Sequence, residues 1–255
     1  MALFMDGSIS TIEDLVAQES TILDLASTEG IDLTRKLALA QEEVGIDLAV
    51  AMLRRGTIDR TAYSSVQAVL CSVAVSSPLR LWHTFHTLEM AFRDAYYNQL
   101  NDRYKEKWNE YKRLSRWACE RLIELGVGMV GDPIAKAEAP SVSLMPGNQP
   151  AATYCVTATW INKSGQEGSA AQIQAVSAPV GNVLVVSPVN APANAVAWNV
   201  YVGYSTETMA LQNATPLGPQ AAWVQPETGI VTGRGPGNGQ LPNSTCLMPQ
   251  VFQRG

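Results

Sequence analysis

The residues best suited to chemistry in this sequence are few. His83 and His86 are the only imidazoles. Spaced i, i+3 they would share one face of a helix, where a third ligand could complete a metal site. No carboxylate or cysteine is expected at a neighbouring turn position to complete that set, so packing or surface positions are the favoured reading. Two histidines also leave little material for a histidine-based triad. Glu42 and Glu43 are adjacent, point about 100° apart on a helix, and cannot face each other as an acid–base pair. The stretch Gly233-Arg-Gly-Pro-Gly-Asn-Gly239 is rich in glycine but lacks the Lys-Ser/Thr pair of a phosphate loop and opens no helix. Cys71, Cys119, Cys155 and Cys246 include no C-x-x-C pair, which predicts reduced, mostly buried thiols. The residues therefore predict no catalytic, cofactor-binding or metal-binding set, no cofactor, and no enzyme.

Bulk composition narrows the partners. A net charge of -5 and a pI near 5.1 argue against a nucleic-acid scavenger, which needs a dominant basic surface. With 46% apolar and 16% charged residues, wholesale disorder is excluded. The start, Met-Ala-Leu-Phe-Met-Asp-Gly, has no cationic segment and too short an apolar run for a signal peptide, and no stretch reaches the ~18 apolar residues of a membrane helix. Folding in the cytoplasm is the expectation, with no membrane partner.

The elements that must position these residues fall into two halves. Before about residue 132, Leu, Ala, Glu, Arg and Lys predominate; after it, Pro, Gly, Asn, Val and Thr take over. The first palette suits helices and the second suits strands and turns. The expected class is α+β: a helical bundle with a long helix over 1–131, a linker over 132–150, an antiparallel immunoglobulin-like β-sandwich over 151–232, and an extended C-terminal arm over 233–255. Capping-box spacing at Ser10-Thr-Ile-Glu13 opens a helix that Gly30 stops; a second runs from beyond Asp32 and closes at Gly56. Residues 57 to 77 stay open between a short helix over Thr61 to Leu70 and an extended run at Cys71 to Ser77. In the second half, Thr153 to Ile161, Ser169 to Val176, Val183 to Val189, Ala195 to Gly203 and Ala221 to Gln225 read as strands, with a turn at Asn162 to Gly168. Trp160 and Trp198 are expected in the core; Val196, Val200 and Val202 share the parity of Trp198.

Beyond Pro78 lies the strongest periodic signal. Phe85, Leu88, Phe92, Tyr96, Leu100, Tyr104, Trp108, Tyr111, Leu114, Ala118, Leu122 and Leu125 advance by three or four residues each time, the period of an α-helix. Unbroken, such a helix would be roughly 65 Å long, so one break is expected where Asn98 to Asp102 weakens propensity, with the end at Gly126 and Gly128. Asp102, Glu106 and Glu110 form an acidic line beside Arg103 and Lys107, either a self-compensated surface or a seam against a second copy. The aromatic ridge carries more apolar surface than short helices cover. It predicts self-association through Phe92, Tyr96, Tyr104, Trp108 and Tyr111, with Asp102, Arg103, Glu106 and Lys107 as the charged seam.

Leu81-Trp-His-Thr-Phe-His-Thr-Leu88, Phe92-Arg-Asp-Ala-Tyr-Tyr, Asn101-Asp-Arg-Tyr-Lys-Glu-Lys-Trp108 and Leu114-Ser-Arg-Trp-Ala-Cys-Glu-Arg-Leu122 together resemble the helical region of tailed-bacteriophage head–tail connector proteins, the portal adaptors of the neck. Trp198-Asn-Val-Tyr-Val-Gly203 resembles the immunoglobulin-like or fibronectin type III-like modules appended to phage structural proteins. The resemblance implies a virion structural protein at the head–tail junction, folded in the host cytoplasm. It implies a homo-oligomeric ring, commonly a dodecamer, that joins portal protein to tail or neck proteins, with the capsid as a further candidate contact, and serves DNA packaging and ejection. DNA would pass through its lumen without sequence-specific binding, which an acidic chain suits. The alternative reading is another phage component: a tail or tail-fibre protein, or a capsid-decorating protein with an Ig-like binding module.

Overall fold

The computed structural model describes residues 1–54 and 65–247. The proposed stop at Gly56, the stretch from Thr61 to Ser64 and the end of the arm, 248–255, lie outside the described residues. An N-terminal helical region and a C-terminal antiparallel sheet region make the chain α+β.

Six helices are described: α1 Ile12–Gln18, α2 Ile22–Glu29, α3 Leu33–Arg54, α4 Val66–Cys71, α5 Ser77–Gln99 and α6 Asp102–Leu125. The first expected helix is therefore two. Its cap sits one residue later than the spacing suggested: Thr11 Oγ1 accepts the Asp14 N–H at 3.3 Å, and the Asp14 carboxylate accepts the Thr11 N–H at 2.8 Å. Gly30 closes α2 in the left-handed conformation, φ 66°. Ser65 caps α4, and Pro78 sits in the first turn of α5, where its missing N–H costs nothing.

The ridge breaks where propensity weakens. Leu100 adopts φ 52° as the C-cap of α5, and the Asn101 side chain accepts the Arg103 N–H at 3.0 Å to start α6. The two helices fold back into a hairpin, and the ridge closes largely on itself. Gly126, at φ 85°, ends α6, and the chain enters β1, Val127–Met129.

Strands β2 Ser141–Pro146, β5 Asn182–Ser187 and β8 Trp223–Val224 form one antiparallel sheet in the order β2-β5-β8. A second antiparallel sheet holds β3 Ala152–Asn162, β4 Gln174–Ala178, β6 Ala195–Gly203 and β7 Ala210–Leu211 in the order β4-β3-β6-β7. Its two long central strands pair with Trp160 opposite Trp198. One buried cluster draws on both sheets: Tyr154, Val156, Ala158, Trp160, Trp198, Val200 and Val202 from one, Leu184, Val186 and Trp223 from the other. Val196 shares the parity of Trp198 but lies beyond this cluster, 45% exposed.

The chain separates into two compact units: 1–6 with 132–241, and 7–131 with the residues from 242 onward. Two expectations change here. The supposed linker 132–150 contains β2, paired with β5 from Ser141↔Ser187 to Pro146↔Asn182. The supposed arm from 233 is divided, because residues to Leu241 belong to the sheet unit, while β9, Ser244–Cys246, pairs with β1 in the helical unit. The close approach of β9 requires Gly126 and Gly128, since a Cβ at either would sit 2.6 Å from Thr245 Cγ2 or 3.0 Å from Pro242 Cβ.

Candidate functional site

The surface singled out by the periodic ridge lies on α5, α6 and the turn between them. Phe92 and Tyr111 are buried, 3% and 4% exposed, and their rings stack within one copy. Both are therefore corrected from interface residues to interior ones; an apolar face that closes on its own hairpin is not available to a second copy. The Tyr111 hydroxyl donates to Glu19 Oε2 at 3.0 Å. Burial, then the Glu19 charge, push its pKa well above the ordinary tyrosine value.

Lys107 bonds Glu19 Oε2 at 3.0 Å and Glu110 Oε2 at 3.3 Å, and Tyr104 donates to Glu29 Oε1 at 3.2 Å. The Glu19 bond holds the Lys107 pKa up. For Glu19, burial pushes the pKa up, but bonds from Thr21, Lys107 and Tyr111 outweigh it and lower the value. Phe92, Arg103, Tyr104 and Lys107 border one cleft of about 340 Å³ with Glu19 and Asp24, so this part of the seam faces α1–α2 of its own copy. Asp102, Arg103 and Glu106 stay exposed.

Nearer the hairpin turn the ridge opens. Tyr96 and Trp108 stack at 6.0 Å, Tyr97 leans on Trp108 at 6.0 Å, and Lys105 and Lys112 cap the rings of Tyr96 and Trp108 at 6.0 and 5.8 Å. Trp108 Nε1 is buried with no hydrogen-bond partner among the described residues. Tyr97 is 63% exposed and Leu100 69%. Sequence reasoning did not single out Tyr97, which lies one residue off the ridge. At the opposite end of the hairpin, Pro78, Leu81, Trp117, Ala118, Arg121 and Leu125 line an apolar groove of about 300 Å³.

The chemistry-bearing residues are placed differently. His83 is fully buried; Nε2 lies 3.0 Å from the Leu37 carbonyl, and Nδ1 meets Ser10 Oγ. Because a carbonyl only accepts, Nε2 carries the proton and Nδ1 accepts from the hydroxyl. This Ser–His contact is closed to substrate. Burial lowers the His83 pKa to about 4, against a smaller upward pull from the Leu37 bond. His86 does have carboxylate neighbours, a correction: Glu43 Oε2 at 2.8 Å and Glu89 Oε2 at 3.3 Å. Burial lowers its pKa, and the two carboxylates outweigh that and raise it. Among the described residues no group of three His, Cys, Asp or Glu side chains could hold a metal ion. Cys71, Cys119 and Cys155 are free thiols, and burial with nearby Asp47 and Glu120 pushes the Cys119 thiol up to about 11, away from nucleophilic use. Among the described residues no helix is long and apolar enough to cross a membrane.

Around the hairpin turn the surface exposes Tyr97 and Leu100 beside Asp102, Arg103, Lys105 and Glu106. No profile of a known protein family matches this chain, and no curated protein matches it in sequence.

Proposed function

We propose that this chain is a structural subunit of a tailed-bacteriophage particle, a portal adaptor that assembles as a ring between portal and tail and prolongs the DNA channel. The observation that carries self-association is Leu100. A left-handed C-cap is the place for glycine or asparagine, and a leucine there costs about 1 kcal/mol or more. This one also holds its side chain 69% exposed beside Tyr97. Local stability favours neither choice, whereas a contact made by another copy gives a reason for both. Head-to-tail contacts between unlike surfaces close into rings when the rotation between copies closes and give filaments when it does not, and the hairpin turn and the groove at Trp117 and Leu125 offer two such surfaces.

The sheet unit supports the phage reading in a second way. In the immunoglobulin arrangement strands B and E pair in one sheet, and C′, C, F and G line up in the other. β2-β5 and β4-β3-β6-β7 follow that order, with buried Trp160 on the strand in the place of C. The first strand of that fold has no counterpart at the β2 edge, and β8 instead pairs with β5. We read this unit as an Ig-like module facing capsid or tail proteins. The same module favours the second reading, a tail, tail-fibre or capsid-decorating component.

Native mass spectrometry and negative-stain imaging of the full chain, alone and with portal protein, separate these readings. Closed rings that Leu100→Asp abolishes, with unchanged helical content, support the adaptor. A monomer or trimer that never joins portal protein overturns it in favour of the second.

A further inference from the structure

The four-stranded sheet ends laterally at β7, a strand of two residues. Beside it the chain returns through Val231–Arg234. The Leu211 N–H donates to the Arg234 carbonyl at 2.9 Å, a bond of the kind a further strand would make. The Gln212 side chain grips Val231 twice, accepting its N–H and donating to its carbonyl, both at 2.9 Å. Residues 231 to 235 are all exposed, so burial holds none of them in place.

Beyond these bonds, one charged side chain of the segment itself fastens it to the sheet. Arg234 Nη1 donates to Glu167 Oε2 at 2.9 Å, and its guanidinium lies 5.7 Å from the Tyr201 ring centroid. Glu167 is only 16% exposed, and its other oxygen accepts from Thr159 Oγ1, the Tyr201 hydroxyl and Asn199 Nδ2. These donors stand on β3 and β6, so the carboxylate is held rigidly before Arg234 arrives.

We propose that residues 231–235 are a lockable guard on the β7 edge, fastened by the Glu167–Arg234 pair, that opens and closes over that edge while the sheet stays folded. An unpaired edge is a template for association, and proteins cover such edges. Here the cover is Gly-rich, exposed and tied by polar contacts alone, which is what allows it to open while the sheet remains folded.

Trypsin reads the lock directly, because cleavage of the Arg234–Gly235 bond needs a free guanidinium. In the full-length protein, Arg234 is cut more slowly than exposed Lys163. Glu167→Gln speeds cleavage at Arg234 by about tenfold with Lys163 unchanged, and speeds hydrogen exchange of the Leu211 amide by a similar factor, since both track the open population. Should Glu167→Gln unfold the unit, Gln212→Ala loosens the guard without touching the carboxylate and is expected to give the same two changes. Wild-type cleavage at Arg234 as fast as at Lys163 overturns the proposal. So does an unaltered Leu211 exchange rate in the variant that folds.

Discussion

Phe92 and Tyr111 lie face to face across the α5–α6 hairpin, 5.4 Å between ring centroids and 13° between planes. The contact takes the centre of the aromatic ridge out of the surface and leaves its turn end open. It also ties α6 to the start of the chain, because the Tyr111 hydroxyl reaches Glu19.

Truncating Tyr111 should therefore unfold more than it exposes. Tyr111→Ala is expected to cost about 3–5 kcal/mol, as for other buried aromatic truncations. Tyr111→Phe keeps the stack, loses the charged hydrogen bond, and should cost about 1–3 kcal/mol. Urea denaturation followed by far-ultraviolet circular dichroism checks both; equal costs for the two variants would refute the stacking role.

His83 makes the helical unit sensitive to acid. Its folded pKa of about 4 lies below the unfolded 6.5, so between those values the unfolded chain binds the extra proton and stability rises with pH. The slope approaches about 1.4 kcal/mol per pH unit, fades above pH 6.5, and is spent below about 4. His86, raised by its carboxylates, has the opposite sense: its contribution is present below 6.5 and lost as pH climbs through its folded pKa. Stability measured from pH 5 to 6.5 should fall with acid in the wild type, and this slope should flatten in His83→Asn.

At Leu100, stability and assembly should part. Leu100→Gly relieves the left-handed strain and is expected to raise the thermal midpoint of the isolated chain, by about 1 kcal/mol at the transition. In the ring reading the same change weakens association. Lower stability in the isolated chain would remove the strain argument.

Gly203 should not tolerate a methyl group. A Cβ there would lie 2.6 Å from Met209 N and 2.7 Å from its Cα, both backbone atoms. Gly203→Ala is expected to cost about 1–3 kcal/mol. Gly218→Ala, with nothing within 4 Å of its Cβ, should stay within about 0.5 kcal/mol of the wild type. Chemical denaturation of the pair gives the comparison.

The broad division into helices and strands was legible because composition alone shifts near residue 132, and β3 and β6 alternate strongly enough to be located. Where tertiary partners intervene, local pattern misleads. Ser10 has the chemistry of a cap, but its hydroxyl goes to His83, and the cap passes to Thr11. β2 is hidden because Pro and Gly crowd both sides of it, at 131–140 and 146–150, and read as a linker, while Ser141–Pro146 is exposed along most of its length and shows no buried face. The ridge was visible in full, yet periodicity cannot distinguish a face that meets a partner from one that meets its own return helix. Glu167 gave no signal at all: it lies in a turn, and its donors come from β3, β6 and residue 234.

Residues 1–6 are built into the sheet unit, where Asp6 accepts from Ser169 at 2.6 Å and from the Lys136 N–H at 3.0 Å, while β9 is built into the helical unit. During synthesis, then, the opening residues leave the ribosome long before their sheet exists, and the helices wait for a strand made near the end. Neither half can be finished early. A ribosome that stalls anywhere before residue 241 leaves both units incomplete, and one that stalls between 242 and 246 leaves the helical unit without β9.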